Sequence, residues 1–311
     1  MTETTPKTDH DWIFLKIYLG EAVDRMDWMI GEVARMVQRE DRQDLAKWFY
    51  LRYLDKDGIH IRLRVLPKDQ ADADRIRTGL IDGIADRLSR INAQPPSDYA
   101  PMVTMPGFEE QIEQVTIAHN DVRVLEAVYE PEHDKFGGPE GMPVAETLFW
   151  KSSVIAARII GSEAEGLLSR KSLIPRLMHE VFEAFRPDTD AETFWREYSY
   201  YWLGARTPAA EDWRDRFHDK AADLAAEGIS PLTPHGASQQ DFAAIAADWR
   251  SALDVAARGY HALEGRAEVN SEVLTFTFAH LMNNRLGIAS LEESYMAALL
   301  EQAGVTGKVA A

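Results

Sequence analysis

Apolar residues recur along this chain in two rhythms, and each rhythm occupies its own stretch. Asp11 to Leu19 (DWIFLKIYL) is dense in aromatic and β-branched residues and reads as a buried strand. Glu21 to Val37 follows with apolar residues at Val23, Met26, Met29, Ile30, Val33 and Met36, the spacing of one helix face. Lys47 to Leu54 (KWFYLRYL) and Ile59 to Leu66 (IHIRLRVL) read as two further strands. Asp55-Lys56-Asp57-Gly58 between them supplies the residues a tight turn needs, so 47–66 is expected to form a hairpin. Pro67 ends it, Asp69 to Ile91 reads as helix, and Val122 to Tyr129 (VRVLEAVY) as a fourth strand. Strand, helix, hairpin, helix, strand is the βαββαβ order of a ferredoxin-like unit. Residues 94–119 carry no clear pattern.

From Met142 the period becomes helical almost throughout. The expected helices are 142–161, 164–169, 172–185, 190–203, 209–227, 239–264, 269–286 and 289–303. Gly161-Ser162, Arg186-Pro187 and the stretch Gly228 to Ser238 (GISPLTPHGAS) supply the breaks. The expected class is therefore α+β: a small antiparallel sheet near the N-terminus, then a mainly helical remainder. The expected organisation is a disordered tail over 1–10, one unit over 11–303 (an α+β part at 11–130, a helical part at 140–303) and a frayed tail over 304–311.

Composition narrows the function classes. In 311 residues, Lys+Arg total 34 against Asp+Glu 51, a net charge of −17. That balance argues against a general nucleic-acid binder, which needs a basic face to neutralise phosphates. Eight Trp, ten Tyr and twelve Phe demand a folded core. Cys is absent, which excludes disulfides, thiolate metal sites and thiol nucleophiles. The N-terminus has no apolar core of a secretory signal, and no run approaches the ~20 apolar residues of a membrane span. A cytoplasmic protein that contacts no membrane is expected. Walker A, Gly-x-Ser-x-Gly, HExxH and dinucleotide fingerprints are missing, so no metal and no cofactor are expected.

Three groups of residues are candidates for chemistry. In the strand 59–65, side chains alternate, so Ile59, Ile61, Leu63 and Val65 share one face and His60, Arg62 and Arg64 the other. A row of Arg in so acidic a chain suits bidentate binding of an anion, or is matched by internal acids; Glu132 and Glu146 are the acids expected to do so. Tyr129 to Met142 (YEPEHDKFGGPEGM) is a Gly-rich loop that crowds Glu132, His133, Asp134 and Lys135 together, and Glu146 follows it among apolar neighbours. The helix end at Phe278 to Gly287 carries His280 and Asn284 four apart, on one side, with Arg285 in the same turn. A histidine there is either a core residue or a proton-transfer group.

Taken together and in this order, the three groups resemble the C-terminal elimination domain of class I lanthipeptide dehydratases, found also alone as the thiopeptide-type bacteriocin biosynthesis domain. The family's Trp-Phe-x-x-Arg-Tyr and His-x-Arg-x-Arg strands correspond to Trp48 to Tyr53, which includes Arg52, and to His60 to Arg64. Its Tyr-x-Pro-Glu loop with Gly-Gly, Met, Ala-Glu and Phe corresponds to Tyr129, Pro131, Glu132, Gly137, Gly138, Met142, Ala145, Glu146 and Phe149. Its His-Met-x-x-Asn-Arg-Leu helix end is matched by His280, Asn284, Arg285 and Leu286. The resemblance spans about residues 11–303, and a free-standing form without the glutamylation domain of full-length dehydratases is expected.

What the resemblance implies is a free-standing lyase that removes glutamate from glutamylated Ser or Thr of a ribosomal precursor peptide, leaving dehydroalanine or dehydrobutyrine. A separate glutamyl-tRNA-dependent protein is implied as the partner that glutamylates the peptide. It implies Arg62, Arg64, Lys135 and His280 as the catalytic set, lining one cleft, with His60, Arg52, Glu132, Glu146, Asn284 and Arg285 binding substrate or supporting them. Lys135 stands where the family has Arg, and Phe136 where it has Tyr. Lys keeps the charge and loses the planar fork. Lys151-Ser152 replaces an Asp-Ser pair. Two alternatives belong with this resemblance: a pyridine synthase that joins two dehydroalanines by a formal [4+2] cycloaddition with leader elimination, and a non-catalytic module that binds a precursor peptide.

Overall fold

The structure, a computed structural model, describes residues 12–20, 22, 25–39, 43–55, 57–92, 122–233, 239–265 and 267–307. The tail expected at 1–10, the unpatterned stretch 94–119, residues 234–238 of the expected break and the last residues 308–311 lie outside the described ones. The described residues fall into two compact units that meet in the sequence at Pro131 and Glu132.

The first unit contains β1 (Ile13–Leu19), α1 (Met26–Val37), β2 (Leu45–Asp55), β3 (Gly58–Pro67), α2 (Ala73–Asn92) and β4 (Val122–Ala127). The strands form an antiparallel sheet in the order β2-β3-β1-β4. Its hairpin closes on the pair Asp55–Gly58. Gly58 sits at φ +115°, a backbone region that side chains resist, and the Asp55 carboxylate accepts the Asp57 N–H at 3.0 Å. The strand alternation gives the sheet a face with an apolar centre: Leu15, Ile17, Ile61, Leu63 and Val65 are all fully buried. Against it lies α2, whose Ile76, Leu80, Ile84 and Leu88 recur every fourth residue, and α1, with Met29, Ile30 and Val33 buried, packs on α2. The Asp69 side chain accepts from Ala71 N–H at 2.9 Å and starts the short turn Gln70–Asp72 that leads into α2.

The second unit is helical: α3 (Gly138–Ala164), α4 (Arg170–Phe185), α5 (Ala191–Trp202), α6 (Pro208–Ala226), α7 (Gln239–His261), α8 (Ser271–Leu286) and α9 (Ser290–Gly307). Three expectations need correction. The helix expected at 142 begins at Gly138, because Gly137 in the left-handed region (φ +76°) turns the loop and Pro139 suits a first helical turn. Gly161-Ser162 does not break it; the stop falls at Gly166 (φ +73°), so 164–169 forms no separate helix. The last helix runs to Gly307, beyond the expected end at 303.

Polar contacts pin these helices together. The Trp249 indole N–H donates to Leu177 C=O at 3.1 Å, joining α7 to α4. Buried Glu180 on α4 is held by Arg176 and by both Arg250 Nε (2.7 Å) and Nη2 (2.5 Å) from α7. Between α5 and α9 the Ser199 and Ser294 hydroxyls meet at 2.8 Å, and the buried Ala298 lets the helices approach. The ends of α8 are well made. Asn270 accepts from Glu272 and Val273 N–H at 2.9 and 3.1 Å. At the other end, Gly287 (φ +72°) and Ile288 return their N–H groups to Asn284 and Asn283 C=O. Arg170 covers the Leu286 carbonyl at 2.7 Å.

Leu63 is fully buried at the centre of the apolar sheet face. Leu63→Ala should cost about 2–5 kcal/mol, read as a lower urea midpoint with an unchanged slope. A loss below about 1 kcal/mol would show that the sheet–helix layer is not the core of this unit.

Candidate functional site

The basic row on β3 forms as the alternation requires. Its neighbours across the sheet are Tyr18, Lys16 and Phe14 on β1 and Tyr53, Leu51 and Phe49 on β2, so one face carries all nine side chains. His60 is fully buried between Tyr18 and Tyr53, with ring centroids 4.5 and 5.7 Å away. Its Nδ1 lies 3.1 Å from Gly58 C=O, so Nδ1 carries the proton and Nε2 accepts from Arg62 Nε at 3.4 Å. Burial holds its pKa below the ordinary histidine value. The half-exposed Arg62 guanidinium lies over Tyr53, 3.1 Å from the ring centroid. Arg64, 7 % exposed, is surrounded by the rings of Phe14, Phe49 and Tyr129 at 4.3, 5.3 and 4.9 Å. Trp12 packs edge-on against Phe49 and Tyr129 behind them.

Asp55, at the hairpin turn, is an acid that serves this face. It accepts from Lys16 Nζ at 2.9 Å and Tyr18 hydroxyl at 3.1 Å, and its carboxylate stands 3.8 Å from His60 Nε2. Burial pushes the Asp55 pKa up, but the Lys16 and Asp57 hydrogen bonds outweigh it and hold the carboxyl below its ordinary value. Arg52 belongs to the opposite, helix-covered face, as its place on β2 dictates, and is paired with Asp27 of α1.

In the second unit, the loop before α3 brings Glu132 and Lys135 together, with Nζ 2.5 Å from the carboxylate. Both are exposed. Phe136 turns the other way and packs on Phe149 of α3 and Phe278 of α8, at 5.1 and 5.6 Å. Gly141 makes this possible: a Cβ there would lie 1.8 Å from the Phe136 carbonyl oxygen. Glu146 is buried on α3.

His280 lies two residues beyond Phe278, about 200° around the helix, and so on its other side. Its Nδ1 is 3.0 Å from Oε1 of Glu293, near the start of α9. Glu293 is 1 % exposed, and its Oε2 accepts from the Tyr198 hydroxyl at 2.5 Å and the Asn283 amide at 3.1 Å. Burial, with this carboxylate alongside, pushes the Tyr198 phenol well above its ordinary pKa and keeps it a donor. The Trp202 indole lies over the imidazole, centroids 4.4 Å apart and planes tilted by 31°. The imidazole is thus fixed from two sides and remains partly exposed. Arg285, in contrast, reaches into the helix bundle, to Ser153 of α3 at 3.0 Å and Leu281 C=O at 2.7 Å. Asn284 is half-buried at the C-terminal end of α8, where its carbonyl accepts from Gly287 N–H at 3.0 Å.

Sequence spacing did not find Glu293, Tyr198 or Trp202. They lie on two other helices, and Glu292-Glu293 reads in the sequence as an ordinary acidic first turn. Fold and side chains together describe a protein that carries an arginine row on an antiparallel sheet and a carboxylate-held histidine in a helical unit.

The chain belongs to the family described as lantibiotic biosynthesis dehydratase C-term, which matches residues 12–303. No curated protein matches its sequence. Among solved structures it is similar to the tRNA dependent lantibiotic dehydratase MibB from Microbispora sp. 107891, with 16% identity and a TM-score of 0.59, covering 100% of this chain and 29% of that one. It is also similar to TbtD, a pyridine synthase from thiomuracin biosynthesis, with 14% identity and a TM-score of 0.65, covering 97% of this chain and 100% of that one. A third likeness is to TsrL, with 14% identity and a TM-score of 0.59, covering 97% and 96%. At these identities the likenesses show a shared fold. The chain spans less than a third of the length of MibB.

Because folding lowers the His60 pKa, the unfolded chain binds the additional proton once pH falls below about 6.5, and stability drops with it. Subtracting the pH profile of His60→Gln from that of the wild type should therefore leave a stability term that is flat above about pH 7 and declines toward pH 5. Parallel profiles would mean that His60 is not held neutral. Gly141→Ala should shift the 132–136 loop or lower the thermal midpoint, since the Phe136 carbonyl must move; an unchanged midpoint and crystal structure would contradict that contact.

Proposed function

We propose that the chain catalyses elimination of glutamate from O-glutamyl Ser or Thr in a ribosomal precursor peptide. The observation that carries this reading is the His280–Glu293 pair, a proton acceptor held in one tautomer. Family membership and the Arg62 and Arg64 row support it. In the reaction His280 Nε2 takes the proton from Cα of the esterified residue. The electron pair becomes the Cα=Cβ bond, the Cβ–O bond breaks, and glutamate leaves with its carboxylate restored. Arg62, stacked and half-exposed, holds a glutamyl carboxylate or the developing enolate oxygen. Arg64, enclosed by rings, places positive charge behind it, and Lys135 adds charge at the loop. Tyr198, Asn283 and Trp202 maintain the histidine. The ester would be supplied by tRNA-dependent glutamylation, the dependence that MibB carries in its description. The same reading takes the first unit as ferredoxin-like, supported by its βαββαβ element order and its β2-β3-β1-β4 sheet.

A second reading is supported by the full-length likeness to a pyridine synthase: a [4+2] cycloaddition between two dehydroalanines with loss of the leader. One assay separates the two. Given a synthetic O-glutamyl-Ser peptide, the protein should release glutamate and leave dehydroalanine, read by mass spectrometry. A protein that leaves the adduct intact but forms a pyridine from a dehydrated peptide would establish the second reading instead. A peptide that is bound and left unchanged in both assays would make the chain a binding module.

In the first assay His280→Ala should slow elimination by about 10²–10⁴ and Arg62→Ala or Arg64→Ala by about 10²–10³, with circular dichroism unchanged. Lys135→Arg should match or exceed the wild-type rate. Wild-type turnover by His280→Ala would make His280 a core histidine.

A further inference from the structure

We infer that Glu293 is a positioning residue for His280, a role that rests on the elimination reading for its kinetic consequence and on geometry for its existence. An ionised carboxylate only accepts hydrogen bonds. With Oε1 engaged by His280 Nδ1 at 3.0 Å, the ring proton must sit on Nδ1, and the lone pair on Nε2 faces away from Glu293. The second oxygen is committed to Tyr198 and Asn283, so the carboxylate cannot rotate to release the ring without breaking two further bonds. Trp202 closes one face of the imidazole and blocks a flip about its long axis.

The charge matters as much as the orientation. Glu293 is buried, so its field at the imidazole is screened less by water than that of a surface carboxylate. It stabilises the imidazolium that forms when Nε2 accepts a proton. Glu293 lies in the first turn of α9, where the helix dipole favours negative charge. The Ala289 N–H is occupied by Glu292 at 3.1 Å, which leaves Glu293 directed to the interior. Two adjacent acids in one turn thus do different work: Glu292 caps the helix and Glu293 holds the histidine.

Glu293→Gln keeps the shape, removes the charge and can offer an amide N–H to Nδ1, which would place the ring proton on Nε2. Two readouts test the inference on the full-length chain. In proteins with ¹⁵N-labelled histidine, a protected Nδ1–H signal, assigned by its loss in His280→Ala, should disappear or move strongly in Glu293→Gln. On the O-glutamyl-Ser peptide, kcat should fall about 10²–10⁴-fold while KM stays within about threefold. Glu293→Asp keeps the carboxylate and should recover at least about tenfold of that loss, and it serves if the Gln variant fails to fold. The double variant His280→Ala with Glu293→Gln should be no slower than His280→Ala alone. If the ring signal persists in Glu293→Gln, or kcat stays within about threefold of the wild type, the role is overturned. If the ring signal behaves as expected and the wild type releases no glutamate, the elimination reading fails and the positioning of His280 by Glu293 stands.

Discussion

A carboxylate removed from water must find donors in the protein or take up a proton, and Glu293 at the start of α9 finds three, on Tyr198, Asn283 and His280. Those donors come from α5 and α8, so the demand of one buried charge ties three helices at a single point. The Ser199–Ser294 pair next to it and the Schellman end of α8 at Gly287 keep the three helices in register. Breaking any one contact exposes the charge, which is a stiffer constraint than the apolar packing around it. The same constraint leaves an imidazole whose tautomer and orientation are settled before any substrate arrives.

The first unit solves a related problem with different means. Its basic row would repel itself if the guanidinium groups lay together in apolar surroundings without compensation. Asp55 neutralises Lys16 and meets the Tyr18 hydroxyl, a neutral His60 takes the Arg62 Nε–H, and aromatic faces receive Arg62 and Arg64. Cation–π contact stabilises a guanidinium in surroundings poor in water. That suits the carboxylate-binding role proposed for these arginines.

Much of this was legible in the sequence, for local reasons. Alternation in IHIRLRVL placed His60, Arg62 and Arg64 on one face, and Asp55 to Gly58 marked the turn, because strand period and turn chemistry are properties of adjacent residues. Gly287 marked the end of the His280 helix for the same reason. Gly161 misled: a single glycine with open space around it is tolerated inside a helix that tertiary packing holds, and α3 runs through it. The partners of the functional side chains were the hard part. Glu132 and Glu146 were expected to serve the arginines; on the arginine face Asp55 meets Lys16, Tyr18 and His60 from the hairpin, a partner set that no local spacing announces, and Glu132 meets Lys135. Glu293 lies 13 residues past His280, beyond a helix stop, and Tyr198 lies on a helix far upstream. No periodicity links such positions; only the folded helices bring them together.

The central claim is that a carboxylate-held histidine removes an α-proton and so expels glutamate. It is tested most directly with an O-glutamyl-Ser peptide that carries deuterium at the serine Cα. The account predicts release of glutamate with a dehydroalanine product that has lost the deuterium. Release of glutamate with serine restored and its deuterium retained would show ester hydrolysis, and would contradict it.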